Sequence, residues 1–73
     1  MKLDIKMLKQ RISEKGLTLE MFADKIGIDA STLYRKLKNN GETFTVREVS
    51  NMMTVLELSI DEANHIFFEE KLA

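Results

Sequence analysis

The sequence contains neither cysteine nor proline among its 73 residues. Without cysteine, neither disulfides nor thiolate metal sites can support the fold, so stability must come from packing and from well-formed helix ends. Without proline, helix boundaries must be read from capping residues and from the three glycines. A chain of this length has room for one domain with a single modest core.

Long apolar stretches are also missing. The first ten residues, MKLDIKMLKQ, lack an apolar run of signal-peptide length. No other segment approaches the ~20 apolar residues that a membrane-spanning helix requires. We therefore expect a soluble, cytoplasmic protein that has no membrane partner.

Side chains that commonly carry catalysis are scarce. His65 is the only histidine, and it has no cysteine or other nucleophile nearby in the sequence. Glu62, Glu69 and Glu70 are better explained as a solvated acidic edge than as an acid–base pair. Glycine loops that bind phosphate, calcium loops and zinc-ligand spacings are not present. We predict that the protein is not an enzyme and that it uses no metal or cofactor.

Five helix starts share one sequence pattern. In each, an apolar residue precedes an Asp, Ser or Thr, and another apolar residue follows that cap by four positions. The caps are Asp4, Thr18, Asp29, Thr45 and Ser59. This pattern predicts an all-α fold with helices at 5–15, 19–26, 30–38, 46–56 and 60–66, within one domain spanning residues 1–73.

Apolar residues recur at the helical period within these segments and predict one shared core. The expected core residues are Ile5, Leu8, Ile12, Phe22, Ala23, Ile26, Ile28, Leu33, Leu37, Val49, Met52, Met53 and Leu56.

The C-terminal triplet Ile66, Phe67 and Phe68 either continues the fifth helix or forms a short extended segment. Two adjacent phenylalanines cannot share one face of a helix or of a strand. We expect one of them to pack on the core while the other meets a partner, for which a second copy of the chain is a natural candidate. Residues 59–73 are therefore predicted to dimerise, with His65, Ile66, Phe67 and Phe68 at the interface.

Residues 18–38 predict two short helices joined by a tight turn. Gly27 permits the turn, and Ala23 allows the first of these helices to approach its neighbour closely. The second helix has an inward pair, Leu33 and Leu37. Its outward stripe consists of Ser31, Tyr34, Arg35 and Lys38. A short helix with an apolar side and a polar-to-basic side suits reading of the major groove of DNA.

Charge is distributed unevenly along the chain, although the formal net charge is −1. Residues 1–41 hold nine Lys and Arg against five Asp and Glu, whereas residues 42–73 hold two against seven. This split predicts a basic face for phosphates and an acidic end held away from those phosphates. An ordinary mixed-charge surface is the alternative, but the basic half coincides with the two-helix segment, which favours the first interpretation.

The chain resembles the lambda-repressor-like helix-turn-helix family, of the Xre or Cro/cI type. The similarity covers roughly residues 3–58 and is strongest over LTLEMFADKIGIDASTLYRKLKNNG. That family has characteristic positions for a small residue, a turn glycine, a buried aliphatic, a polar contact and an inward aliphatic. In this chain these positions are occupied by Ala23, Gly27, Ile28, Ser31 and Leu33, respectively. The tail SIDEANHIFFEEKLA resembles the end of short phage and prophage regulators.

The resemblance implies a compact five-helix domain that binds operator DNA, usually as a homodimer, with helix 30–38 as the recognition helix. Two positions depart from the family pattern. Lys36 stands where relatives often carry a large apolar residue, and Ala30 stands where they often carry a glutamine that reads adenine.

Candidate DNA contacts follow from side-chain chemistry. Arg35 can bridge O6 and N7 of guanine, or else clamp a phosphate. Tyr34 can contact a phosphate or a base edge, or its ring can lean on the preceding helix. The full set of predicted DNA-binding residues is Thr18, Ala30, Ser31, Thr32, Tyr34, Arg35, Lys38, Asn39 and Asn40.

The sequence thus predicts a transcriptional regulator, repressor or Cro-like, that binds double-stranded DNA sequence-specifically as a homodimer on a near-palindromic operator. The alternative is a protein-interaction module on the same scaffold, either an antitoxin or an antirepressor, in which Phe67 and Phe68 contact the partner. A third reading is a degenerate relative that only dimerises, because fold does not settle function.

Overall fold

The computed structural model describes residues 3–67, and these residues form five α-helices connected by short turns. The helices are α1 (Ile5–Glu14), α2 (Leu19–Ile26), α3 (Ala30–Lys38), α4 (Val46–Leu56) and α5 (Ile60–Phe67). The predicted all-α architecture is confirmed, with helix bounds that agree to within one residue. Within residues 3–67 there is no strand, and Ile66 and Phe67 continue α5; Phe68 lies outside the described residues.

Side chains cap four of the five helices as their sequences predict. Asp4 and Thr18 accept hydrogen bonds from the backbone amides of Met7 and Met21. Reciprocal capping boxes, Thr45 with Glu48 and Ser59 with Glu62, open α4 and α5. Asp29 occupies the cap position of α3, but its side chain makes no capping hydrogen bond, contrary to the sequence-based expectation.

One hydrophobic core joins all five helices. It contains Leu3, Leu8, Ile12, Phe22, Ala23, Ile26, Leu33, Leu37, Phe44, Val49, Met52, Leu56, Ala63, Ile66 and Phe67. Ile5, Ile28 and Met53, which were expected in the core, are only partly buried against it. The core therefore extends further toward both ends of the chain than helical periodicity alone predicts.

Ile66 and Phe67 are both fully buried within the single chain, at 0% exposure. The assignment of these two residues to a dimer interface is wrong, because a side chain without exposed surface cannot touch a second molecule. α5 packs on α1, and the Asp4 N–H donates to the Ile66 carbonyl at 2.8 Å. His65 is exposed on the same helix.

Two turns fix the position of α3. Gly27 ends α2 in the left-handed backbone region, with φ of 84°, which a residue without a Cβ adopts most easily. After α3, Asn40 and Gly41 both have positive φ, and a Cβ on Gly41 would clash with the side chain of Leu3. The Leu3 N–H also donates to the Asn40 carbonyl, so the start of the chain secures the end of α3.

In the part of the chain that the structure describes, no helix is both long and apolar enough to cross a membrane.

Candidate nucleic-acid interface

The outer face of α3 is exposed along the length of the helix. Ser31, Arg35 and Lys38 are all exposed, whereas Leu33 and Leu37 on the opposite side are 0% and 7% exposed. This division follows from the helical period of 3.6, which puts residues three and four apart on one face. The predicted outward stripe and inward pair are therefore placed as the sequence indicates.

Arg35 and Lys38 carry the positive charge of this outer face. Neither forms an ion pair within residues 3–67. An arginine presents five donors and a lysine three, and both lack acceptors. The face can therefore donate to acceptors such as guanine O6 and N7 or phosphate oxygens.

Lys36, the neighbour of Arg35, is largely shielded from solvent by the residues that it contacts. Its Nζ lies 2.7 Å from Glu48 Oε1 and 5.6 Å from the ring centroid of Phe44, and its side chain is only 13% exposed. This chain thus shields the stem of Lys36 and satisfies its charge with a partner on α4. Lys36 is consequently not part of the outer face.

The acidic second half of the described chain contacts the basic first half directly. Besides the Lys36–Glu48 pair, Lys15 lies 3.3 Å from Glu57 and the Arg11 Nε lies 3.4 Å from Glu62. These glutamates are therefore held by basic residues of the first half, and the separation of the acidic end from bound phosphates stays a prediction. They neutralise Arg11, Lys15 and Lys36, and they do not pair with Arg35 or Lys38 on the outer face of α3.

Tyr34 links the outer face of α3 to the first turn of α2. Its hydroxyl donates to Glu20 Oε2 at 2.6 Å, and Tyr34 remains 45% exposed. The hydrogen bond from Tyr34 lowers the pKa of Glu20, and the same bond raises the pKa of Tyr34. The Tyr34 hydroxyl thus contacts the preceding helix, and the contact of Tyr34 with DNA stays a prediction.

Glu20 is the functional candidate that the sequence reading missed. It lies 14 positions before Tyr34, and no local pattern connects the two residues. A glutamate in the first turn of a helix is ordinarily explained by the helix dipole alone. Only the packing of α2 against α3 brings its carboxylate to the outer face.

The remaining predicted contact residues lie at the two ends of α3 and at the start of α2. Ala30 and Thr32 are half-buried in the first turn, and Thr32 lines a shallow depression at the α2–α3 turn together with Asp24 and Asp29. Thr18 is exposed at the start of α2. Asn39 and Asn40 are exposed just after α3, where the Asn39 N–H closes the last turn.

Over residues 3–67, no three His, Cys, Asp or Glu side chains come together in a way that could hold a metal ion.

Comparison with known proteins gives one family match. The model of the Cro/C1-type HTH DNA-binding domain matches residues 7–68, which include all of α2 and α3. The chain is also 42% identical over 53 residues to a tRNA/tmRNA (uracil-C(5))-methyltransferase of Haemophilus ducreyi (strain 35000HP / ATCC 700724). That match covers 67% of this chain but only 14% of the methyltransferase. No solved structure matches.

Proposed function

Since the chain belongs to the Cro/C1-type helix-turn-helix DNA-binding domain family, we propose that it is a sequence-specific transcriptional regulator. It reads the major groove of double-stranded DNA with α3 and has no enzymatic activity. It acts in the cytoplasm as a homodimeric repressor of the Cro-like kind.

The observation that carries this proposal is the difference between neighbouring cations on α3. Arg35 and Lys38 are exposed without an ion-pair partner in the described chain, whereas Lys36 is paired with Glu48. A surface that serves only folding gains little from leaving two cations unpaired beside one another. Unpaired cations on a narrow, protruding helix suit the dense negative charge of a duplex.

Within the groove, the residues of α3 divide by chemistry. Arg35 reads O6 and N7 of guanine, which is worth ~1–3 kcal/mol of discrimination when the contact is bidentate. Ser31 and Thr32 contact base edges or a phosphate at the start of the helix, and Ala30 meets a thymine methyl group. Lys38 contacts the phosphate backbone.

Two flanking segments position the protein on the backbone. Thr18, whose oxygen accepts from the Met21 amide at 3.1 Å, contacts a phosphate at the exposed start of α2. Asn39 and Asn40, which follow α3, donate to backbone oxygens from its other end. Such contacts set register and orientation without specifying sequence.

A homodimer would place two copies of α3 on a near-palindromic operator, with half-sites ~34–36 Å apart. The exposed side of α5, which includes His65, is the surface of the C-terminal region available for this dimer. Truncation after Leu58 is unsuitable as a test, because it removes Ala63, Ile66 and Phe67 from the core. Analytical ultracentrifugation of the intact chain, with and without a selected operator, measures the oligomeric state directly.

Gel-shift titration at two salt concentrations tests the DNA-binding proposal. The Lys38→Ala variant should bind all sequences more weakly, with a salt slope shallower by about 1. Arg35→Ala should weaken the preference for guanine at one operator position. Lys9→Ala, which removes an equal charge from an exposed site on α1, is the matched control and should behave as the wild type.

Binding that is absent, or that does not change with salt, would contradict the proposal. It would favour the alternative of a protein-interaction module. If Arg35→Ala lowered the affinity for every DNA sequence equally, only the base-reading role of Arg35 would be excluded.

A further inference from the structure

The Glu20–Tyr34 pair is a hydrogen-bonding group built from two helices on the proposed DNA-binding surface. The distance of 2.6 Å between the Tyr34 hydroxyl and Glu20 Oε2 is in the short range typical of a hydroxyl donating to a carboxylate. Tyr34 belongs to the same outer face as Arg35, and both residues of the pair are exposed. The pair is therefore open to a ligand on that face.

The proton of the pair stays on Tyr34 at neutral pH. The mutual hydrogen bond lowers the pKa of Glu20 and raises the pKa of Tyr34, so both shifts favour a carboxylate beside a neutral phenol. A phenol has a single O–H group, and this one is committed to Glu20. What remains available to a ligand is the lone pair of the hydroxyl oxygen and the free acceptor sites of the carboxylate.

A group that can only accept hydrogen bonds discriminates between bases in the major groove. Adenine N6 and cytosine N4 are donors there, whereas guanine presents O6 and N7 and thymine presents O4, all of which are acceptors. Phosphate oxygens are also acceptors, and the negative charge of Glu20 repels them. The backbone is therefore a poor ligand for this pair, and an exocyclic amine is a good one.

We propose that Glu20 and Tyr34 together form a specificity-determining pair that selects adenine or cytosine, by their exocyclic amines, at one operator position. This inference rests on the proposed function, because it assumes that α3 enters the major groove. Every base pair contains one amine-bearing base, so the pair reads which strand carries the amine. Glu20 has two roles, since it fixes the hydroxyl of Tyr34 as an acceptor and offers its own carboxylate oxygens to the amine.

The neighbouring Arg35 has the opposite chemistry. Its guanidinium only donates, and it therefore prefers guanine. Adjacent residues of α3 thus place a donor-only and an acceptor-only group side by side. The operator half-site should contain one position that prefers guanine and a separate position that prefers adenine or cytosine.

Selection of bound duplexes from random DNA, performed with the intact wild-type chain and three variants, tests this inference. Tyr34→Phe keeps the ring but removes the hydroxyl, and it should lower the preference for adenine or cytosine by about 2–10-fold at one position. Glu20→Gln replaces the carboxylate with an amide that both donates and accepts, so the pair can no longer only accept. That variant should accept guanine and thymine at the same position.

The third variant, Arg35→Ala, separates the two proposals. This variant should lose the preference for guanine at one operator position and keep the preference for adenine or cytosine at the other. If Arg35→Ala alters the selected sequences while Tyr34→Phe and Glu20→Gln both retain the wild-type profile, the paired reading is overturned and the proposed function stands. If the wild-type chain selects no sequence, the proposed function fails, and this inference fails with it.

A pair that merely braces α2 against α3 would give a different result. Loss of a brace would change the melting temperature and the affinity for every duplex, without changing base preference. Thermal melting of both variants, followed by circular dichroism, supplies that second measurement. A shift in melting temperature with an unchanged selected sequence would overturn the proposal.

Discussion

The helix-turn-helix segment, residues 18–38, and the C-terminal half, residues 42–67, use charge in opposite ways. In the C-terminal half, Glu48, Glu57 and Glu62 each lie within 3.4 Å of a basic group from the first half of the chain. On the outer face of the helix-turn-helix segment, Arg35 and Lys38 have no such partner among the described residues.

This difference shows that the charge available to a ligand cannot be counted from composition. Three basic residues of the first half, Arg11, Lys15 and Lys36, are occupied by glutamates of the second. Their ion pairs help to hold α1 and α3 against the elements that follow them. The positive charge of α3 that remains for DNA is concentrated on its outer face.

The largest expected effect concerns the C-terminal half. Phe67→Ala should destabilise the fold by ~3–5 kcal/mol, because it empties a fully buried aromatic site. Ile60→Ala, on the same helix but 77% exposed, is the control and should change stability by no more than about 0.5 kcal/mol. Urea denaturation of both variants measures the difference. A stable Phe67→Ala monomer would show that this half does not complete the core.

A smaller effect on stability should distinguish a charge in an ion pair from an exposed charge without a partner. Glu48→Ala removes both a capping box and the partner of Lys36, and it should cost about 2–3 kcal/mol of stability. Arg35→Ala, which removes an exposed and unpaired cation, should change stability by less than about 0.5 kcal/mol. Thermal melts at a fixed pH compare the two. Equal losses would mean that the outer face of α3 contributes to folding as much as the paired residues do.

Capping gives a third contrast between the regions. Ser59→Ala should cost ~1 kcal/mol, because the Ser59 hydroxyl accepts from the Glu62 amide at the start of α5. Asp29→Ala should cost less, about 0.5 kcal/mol or below, because Asp29 makes no side-chain cap at α3. Paired denaturation curves test this order. Reversal of the order would show that Asp29 caps α3 in solution.

The smallest expected effect is on pH dependence. Burial opposes the charged form of Glu48, but hydrogen bonds from Lys36 and Thr45 outweigh it and lower its pKa. Hydrogen bonds from Ser59 lower the pKa of Glu62. A lowered pKa in the folded state gives stability that is complete above the ordinary value of 4.5 and is lost as pH falls through the lowered one.

Melting temperature should therefore be constant from neutral pH to about 5 and then fall. The double variant Glu48→Gln and Glu62→Gln should start lower at neutral pH and decline less steeply in acid. A double variant whose melting curve in acid parallels that of the wild type would exclude these two glutamates as the source of the pH dependence.

Local features of the fold were predictable to within a residue. A cap and its apolar flanks span only six positions, so Thr18, Thr45 and Ser59 could be identified without tertiary information. Glu57 was not anticipated as the residue that ends α4 in the left-handed region, because such positions usually hold glycine. One phenylalanine of the C-terminal pair was expected on the core, but that Phe67 is buried there could not be predicted, since it depends on where α5 packs.

The candidate site was only half predictable. Periodicity placed Arg35 and Lys38 on one face of α3, because helical geometry alone determines which residues share a face. Periodicity could not show that Lys36 forms an ion pair with Glu48, nor that Glu20 accepts a hydrogen bond from Tyr34. These contacts join residues 12 and 14 positions apart in sequence, on different helices.

The five helices, the turn at Gly27 and the polarity of α3 follow from residues within about one or two helical turns of one another, so they could be read from the sequence. Which charges have partners, and the burial of Phe67 in the core, depend on packing between helices that are distant in the sequence. A charge in solution gains little from a distant partner, whereas packing brings Lys36 and Glu48 to within 2.7 Å at a site that is largely shielded from water. The chemistry available on the outer face of α3 is therefore a property of the packed molecule.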